Sequence, residues 1–184
     1  MQTEEAIALI ATENTRLVAT LDPRSLADAA SALTAADAVF VLGAGRSGLA
    51  LRMTAMRLMH LGLTVHIVGD VTTPAIRAGD VLLVASGSGT SAGIVGSART
   101  AAEVGASVVA LTTAATSPLA ALATVVIEVA AADKLDRAAT KSDQYAGSLF
   151  EQSVVTIGDA LFHTLWVRSG RSADDLWPRH ANLD

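Results

Sequence analysis

The strongest constraint on this fold is a series of five short apolar runs, each followed by glycine or polar residues and then by a helix. The runs are AVFVLG, TVHIVG, DVLLVASG, ASVVALT and TVVIEVA, and they end at Gly43, Gly69, Gly87, Thr112 and Ala130. Runs that are apolar throughout are typical of strands covered on both faces. Strands that alternate with helices predict right-handed βαβ units and a parallel sheet.

Apolar residues at helical spacing occupy the intervals between these runs and both flanks. This spacing predicts helices at residues 3–20, 23–34, 46–61, 90–104, 117–122 and 148–168. A polar stretch, 131–147, precedes the last of them. We expect one stripe of that helix to face the sheet, formed by Phe150, Val154, Ile157, Leu161 and Leu165.

The predicted fold class is therefore α/β, a three-layer sandwich in which helices flank a five-stranded parallel sheet of the flavodoxin-like or Rossmann-like kind. A length of 184 residues suits one domain. Its expected parts are N-terminal helices over 1–36, a βαβ core over 37–130, the last helix over 148–168 and a C-terminal tail over 173–184.

Composition excludes several kinds of function. The chain has no cysteine, which removes disulfides, thiolate zinc sites and thiol nucleophiles, and no spacing of His and carboxylates suggests another metal site. With a net charge of −5 and no basic run, we expect no nucleic-acid partner. The N-terminus lacks the order of a signal peptide, and no apolar run approaches the roughly 20 residues of a membrane span. We therefore expect a cytoplasmic protein without a membrane partner.

Two loops rich in glycine and hydroxyl groups follow strands and precede helices. Residues 43–48 read GAGRSG after the first strand, and residues 86–91 read SGSGTS after the third. Open parallel sheets bind ligands at the carboxyl ends of their strands, where glycine N–H groups, hydroxyls and helix N-termini can hold an anion. Two such loops suit a small ligand with a phosphate at one end and several hydroxyl groups. The candidate residues for binding it are Gly45, Arg46, Ser47, Ser86, Gly87, Ser88, Gly89, Thr90 and Ser91.

Two other interpretations of these loops stay open from the residues alone. The first loop fits the dinucleotide-binding pattern G-x-G-x-x-G, and Asp70 follows the second strand, where a ribose-binding acid would lie. A dinucleotide site gives no reason for a second hydroxyl-rich loop, however. Alternatively, both loops are tight turns in which Ser or Thr caps the following helix.

Glu151, at the start of the last helix, is the candidate general base. It lies among apolar residues, where its carboxylate could face the carboxyl edge of the sheet. The simpler interpretation is a capping box, S-x-x-E, in which Ser148 and Glu151 only stabilise their helix.

His180 is the histidine of most interest. His66 and His163 lie inside a predicted strand and a predicted helix, where histidines usually pack. His60 ends a helix, and a positively charged residue is common at a helix C-terminus. His180 belongs instead to the tail WPRHANLD, which has too few apolar groups to form an element of its own. The tail is therefore either a frayed terminus or a segment that docks, for example at a neighbouring subunit's active site.

Several segments together resemble one family. GAGRSG, MRLMHLG, TPAIRAGD, SGSG, GSLFEQ and RHANLD, taken in order over nearly the whole chain, are similar to the 6-phospho-3-hexuloisomerases of the sugar isomerase (SIS) domain superfamily. The resemblance implies a homotetramer that converts 3-hexulose 6-phosphate to fructose 6-phosphate without a redox cofactor. It also implies a functional partner, a hexulose-phosphate synthase, in formaldehyde fixation by the ribulose monophosphate route.

The resemblance assigns roles to individual residues. Glu151 would be the catalytic base, and the two loops would hold phosphate and sugar. His180 would be an auxiliary acid or binding group, in its own subunit or in a neighbouring one. One position departs from the family pattern: many relatives read SGSGET, whereas here Thr90 replaces the acidic residue. The contact made by that residue is therefore in question.

Three rival functions follow from the same features. A sugar-phosphate sensor would use the same loops without chemistry, but about 36 residues precede the first strand and they include no basic recognition helix. A nicotinamide-binding module is the second rival. The third, an arabinose 5-phosphate isomerase, would act on an aldose, and its relatives usually carry additional regulatory domains.

Overall fold

The computed structural model describes residues 1–132 and 141–183, so the predicted polar stretch 131–147 lies partly outside the described residues. Six helices and five strands are assigned in this part of the chain. In chain order they are α1 Thr3–Val18, α2 Pro23–Ala35, β1 Val39–Gly43, α3 Gly45–His60, β2 Val65–Ile67, β3 Val81–Ala85, α4 Ala92–Glu103, β4 Ser107–Thr112, β5 Val125–Glu128, α5 Ser148–Ser169 and α6 Ala173–Leu176. Short 3₁₀ turns occupy Ala120–Leu122 and Trp177–Arg179.

The five strands form one parallel sheet in the order β2-β1-β3-β4-β5, which confirms the predicted fold class. The chain runs outward from β1 to β2, then returns past β1 to begin β3. The order therefore reverses between β1 and β3, and helices diverge there to opposite faces of the sheet. In open α/β sheets such a reversal leaves a crevice at the carboxyl ends of the strands. Gly43 pairs with Ala85 at this end.

Two hydrophobic layers cover the sheet, because alternate strand residues point to opposite faces. Val39 and Val41 pack with α1, α2, α3 and α5, and this layer contains the whole predicted stripe of the last helix. Phe40 and the alternate residues of β3 and β4 pack with α4 on the other face. The three-layer arrangement leaves the carboxyl ends of β1 and β3 as the place where both layers open.

Helices α3 and α5 approach each other closely within the first layer. A methyl group added at Gly158 of α5 would lie 3.0 Å from Cβ of Thr54, which belongs to α3 and is buried. Close backbone approach of this kind requires glycine. The middle of α5 is thereby held against α3.

Three local expectations are wrong. Residues 117–122 form no crossing helix but only the 3₁₀ turn Ala120–Leu122, since six residues are too few for a helix that crosses the sheet. Within residues 70–79, which are all described, no helix follows β2; Pro74 and Gly79 disfavour one. The tail does form structure, namely α6 and the turn Trp177–Arg179, because Leu176 is buried in the core.

None of the helices in the described ranges is both long and apolar enough to cross a membrane.

Candidate active site

A cavity of about 280 Å³ opens at the carboxyl ends of β1 and β3. Both glycine and hydroxyl loops reach it, together with the first turn of α5. The lining residues are Ala44, Gly45, Arg46, Ser47, Ala85, Ser86, Gly87, Ser88, Ser91, Ile94, Ala132, Gly147, Phe150 and Glu151. The structure therefore brings Glu151 to the same cavity as seven of the nine predicted binding residues.

Three helices begin at this cavity, and their first turns are left open toward it. No side-chain cap within the described part of the chain closes α3, α4 or α5, whose N-cap residues are Ala44, Ser91 and Gly147. By contrast, Asp22 caps α2 and Ser172 caps α6. Uncapped first turns present free N–H groups and a positive potential, which favour an anion. The interpretation that Ser or Thr caps the helix after each loop is wrong.

The first loop owes its path to a glycine pair. A methyl group on Gly48 would lie 2.5 Å from the carbonyl oxygen of Gly43. Only glycine at both positions lets α3 start directly against the end of β1. The turn therefore brings the backbone of Gly45, Arg46 and Ser47 to the cavity.

The second loop is held from behind by β4. The carbonyl oxygen of Gly87 accepts hydrogen bonds from Oγ1 of Thr112 (3.0 Å), from Oγ1 of Thr113 (2.9 Å) and from N of Thr113 (3.0 Å). Three donors fix this carbonyl away from the cavity. The adjacent Ser86 and Ser88 remain among the lining residues.

Glu151 forms an ion pair with Arg46 at the mouth of the cavity. Oε2 of Glu151 lies 3.0 Å from Nε of Arg46, and an Nη1 of the same guanidinium reaches Oγ of Ser148 at 3.4 Å. The Glu151 side chain is 21% exposed and that of Arg46 is 63% exposed. A carboxylate and a guanidinium thus stand side by side at the mouth of the anion-favouring cavity.

Glu151 is not part of a capping box. Helix α5 begins at Ser148, so Ser148 occupies the first helical position and Gly147 is the N-cap. The Glu151 amide donates to the Gly147 carbonyl oxygen at 3.0 Å, as an ordinary residue of the helix does. Its carboxylate is therefore available to the cavity.

Two predicted binding residues and one rival candidate lie off the cavity lining. Gly89 adopts φ +61°, and a methyl group there would lie 2.5 Å from Cβ of Ser117. The hydroxyl of Thr90 donates to Oγ of Ser88 at 3.0 Å. Asp70, the acid proposed for a ribose, instead pairs with Arg52 at 3.2 Å.

His180 lies at the far end of α3 from its own chain's cavity. Its ring stacks on His60, the last residue of α3, with centroids 4.1 Å apart, and it also contacts Trp177 at 4.6 Å. At about 1.5 Å of rise per residue, α3 separates His60 from Gly45 by about 22 Å. The tail is therefore docked rather than frayed, but not at the cavity of the same chain.

The histidine stack is electrostatically unusual. Burial, followed by the positive charges of His180 and Arg57, lowers the pKa of His60. Nδ1 of His60 and Nδ1 of His180 are both buried without a hydrogen-bond partner in the described residues.

Several functional neighbours escaped sequence reasoning. Ile94, Ala132, Gly147 and Phe150 line the cavity, but small or apolar residues carry no chemical signal. Thr112 and Thr113 could have been found from the sequence, because two adjacent hydroxyl residues end the fourth apolar run. Both hydroxyls support the second loop by hydrogen bonds to Gly87. Among described residues, no group of three His, Asp or Glu side chains could hold a metal ion.

Fold and site together define an open α/β protein whose cavity, at the reversal point of its sheet, suits a small anionic ligand. The family model of the SIS domain matches residues 32–156, which contain both loops and the start of α5. The chain belongs to the SIS domain family.

Relatives match over the whole length. The chain is 53% identical to a 3-hexulose-6-phosphate isomerase of Mycobacterium gastri, over 97% of this chain and 89% of that protein. It is 33% identical to the 3-hexulose-6-phosphate isomerase of Bacillus subtilis over the full length of both. A crystal structure of a Methanococcus jannaschii protein, with an inferred function of 3-hexulose-6-phosphate isomerase, matches with a TM-score of 0.84, 25% identity, and coverage of 98% of this chain and 99% of that one.

The two interpretations of Glu151 make different predictions for stability. Since Glu151 caps nothing, Glu151→Gln should change the free energy of unfolding by less than about 1 kcal/mol, because its ion pair with Arg46 is partly solvated. Asp22→Ala removes an observed cap and should lower stability by more. Urea unfolding of both variants measures this, and a larger loss for Glu151→Gln would restore the capping interpretation.

Proposed function

We propose that the chain is a 6-phospho-3-hexuloisomerase, which interconverts D-arabino-hex-3-ulose 6-phosphate and D-fructose 6-phosphate. The observation that carries this proposal is a carboxylate, Glu151, at the mouth of a cavity onto which three uncapped helices open. The uncapped helix N-termini suit a phosphate. The carboxylate can abstract a proton. The similarity to 3-hexulose-6-phosphate isomerases of two bacteria supports the choice of substrate.

The substrate would bind with its phosphate against the two loops. Ser47 and Ser86 follow adjacent strands, and Ser88 and Ser91 continue the second loop, so four hydroxyls accompany the N–H groups of α3 and α4. Arg46 adds a full positive charge at the same place. The sugar carbons would then extend toward α5 and Glu151.

The reaction would proceed through a cis-enediolate. Glu151 removes the proton from C2, the C2–H electron pair forms the C2–C3 double bond, and negative charge develops on the oxygen of C3. The proton of the C2 hydroxyl passes to the C3 oxygen, and Glu151 returns its proton to C3. Arg46 lies close enough to the carboxylate to stabilise the developing oxyanion. No electron leaves the sugar, so the step as written needs no redox cofactor.

The substrate would come from a hexulose-phosphate synthase, the functional partner in formaldehyde fixation by the ribulose monophosphate route. Ribulose 5-phosphate and formaldehyde supply that enzyme, and fructose 6-phosphate re-enters sugar metabolism. We place this activity in the cytoplasm, where free sugar phosphates are handled.

The test is a coupled assay with ribulose 5-phosphate, formaldehyde and a hexulose-phosphate synthase, in which fructose 6-phosphate is measured. The protein should be required for product. Glu151→Gln should lower kcat on the order of 100-fold to 10,000-fold with the fold intact, because general-base catalysis is lost. Asp159→Asn, on the exposed side of the same helix, is the matched control. Folded protein that forms no product would contradict the proposal.

We further propose that α3 pairs with α3 of a second copy. Side chains spaced by three and four residues form a stripe along its surface, and Leu49, Met53 and Met56 are 65%, 54% and 58% exposed. With Arg46 at one end and His60 at the other, the stripe follows the a/d spacing of helices that pair lengthwise. Such a surface is costly to leave in water.

Antiparallel pairing about Met53 would complete the cavity. In a two-fold dimer, Leu49 would then face Met56 of the partner subunit, and Arg46 would face the partner's His60. Because His180 stacks on His60, the partner's His180 would lie at the cavity mouth beside Arg46 and Glu151. His180 would thus act as the auxiliary acid or binding group in the neighbouring subunit.

A second exposed stripe supports a tetramer. Ile7, Ile10 and Val18 of α1 are exposed on an element separate from α3. Two distinct patches that each pair with the same patch of another copy would give a tetramer with three perpendicular two-fold axes.

Subunit mixing tests whether His180 acts in trans. Glu151→Gln and His180→Ala chains co-expressed in equal amounts should recover about one quarter of wild-type activity, because half of the randomly formed pairs contain one intact site of two. Each variant alone should be much less active. Met53→Glu should break the pair, shown by its mass in solution, and abolish the recovery. Mixed oligomers with no recovered activity would place His180 outside the partner's site.

A further inference from the structure

A buried carboxylate outside the cavity, Glu13 of α1, organises the segment that leads into α5. Glu13 is only 9% exposed. Oε2 accepts hydrogen bonds from Oγ of Ser142 at 2.7 Å and from Nε2 of Gln144 at 2.9 Å, and Oε1 accepts one from N of Asp143 at 2.8 Å. Three consecutive residues, distant in sequence from α1, are thus attached to one side chain.

The same network continues to Gln152, the fifth residue of α5. Oε1 of Gln144 accepts a hydrogen bond from Nε2 of Gln152 at 2.7 Å, and Oε1 of Gln152 accepts one from Nδ2 of Asn14 at 2.6 Å. Because Asn14 follows Glu13 in α1, the chain of hydrogen bonds closes on the helix where it began. Gln152 is the residue after Glu151, so the network ends beside the candidate base.

The hydrogen bonds to Glu13 favour its ionised form. Burial opposes its ionisation, but hydrogen bonds from the Asp143 amide, Gln144 and Ser142, together with the charge of Arg16, outweigh burial and lower the pKa of Glu13. A buried carboxylate with several donors is costly to replace by a group that cannot accept them all.

The segment between this network and α5 holds an unusual conformation. Ala146 has φ +48°, a left-handed conformation that residues other than glycine rarely adopt. Gly147 follows it and lines the cavity. Such a conformation persists where both ends are held. Here Glu13 holds one end and α5 the other.

We propose that Glu13 is a positioning residue for Glu151, which fixes the first turn of α5 so that the carboxylate lies beside Arg46 and the two loops. The proposal rests on the isomerase function above. It separates two parts of the site: the loops after β1 and β3 bind the phosphate without contact to Glu13, whereas the base depends on it. Loss of Glu13 should therefore impair proton transfer more than substrate binding.

The variant Glu13→Gln tests the positioning role. Its amide keeps one acceptor oxygen but replaces the other with an NH₂ group, which cannot accept a hydrogen bond from the donors that face it. We expect kcat to fall on the order of 10-fold to 100-fold, since small displacements of a catalytic group have large effects, with KM changed by less than about 2-fold. Glu4→Gln, on the exposed part of the same helix, is the matched control. Should Glu13→Gln fail to fold, Ser142→Ala removes one donor and should show the same direction with a smaller effect.

Hydrogen exchange of the backbone amides of residues 151–154, the first ones that donate within α5, gives a readout independent of activity. Exchange there should be faster in Glu13→Gln than in Glu4→Gln, while exchange in the loop 86–91 should be unchanged. Unaltered exchange at 151–154, or an unaltered kcat with only a lower Tm, would overturn the positioning role. Wild-type protein without isomerase activity would instead overturn the proposed function, and the exchange comparison would still decide whether Glu13 fixes this turn.

Discussion

The parallel pairing of β1 with β3 is the constraint on which the rest of the site depends. Because Gly43 and Ala85 are partners at the carboxyl ends of these strands, the loops 43–48 and 86–91 start side by side. The helices that follow leave to opposite faces of the sheet, so that a cavity opens between their first turns. Neither loop could form this cavity if another strand lay between β1 and β3.

The cavity separates binding from chemistry between parts of the chain that are far apart in sequence. The loops after β1 and β3 supply backbone N–H groups, hydroxyls and the positive ends of α3 and α4, which suit a phosphate. The carboxylate comes from α5, whose position depends on close packing against α3 and on the Glu13 network. In the proposed isomerase, the base is held by one set of contacts and the phosphate by another. The two can therefore change independently, which suits a reaction in which only the sugar carbons change.

The fold and the two loops could be predicted from the sequence because their signals are local. Strand-length apolar runs, glycine turns and helical spacing each involve neighbouring residues, and Gly45, Arg46 and Ser47 were recognised on that basis. Glu151 was ambiguous because the capping pattern and the catalytic position look alike until the helix start is known to within one residue. The stacking of His180 on His60 and the hydrogen bond from Gln144 to Glu13 join residues more than 100 positions apart. Periodic patterns in the sequence report only on neighbouring residues, so they cannot predict such contacts.

The central claim is that Glu151 exchanges a proton with the sugar carbons through an enediolate. The most direct measurement is the incubation of fructose 6-phosphate with the protein in deuterium oxide, with deuterium at C3 followed by mass spectrometry and NMR. The account predicts that wild-type protein introduces deuterium at C3, because the proton held by Glu151 exchanges with solvent, and that Glu151→Gln does not. Isomerisation without deuterium at C3, or undiminished exchange in Glu151→Gln, would contradict it.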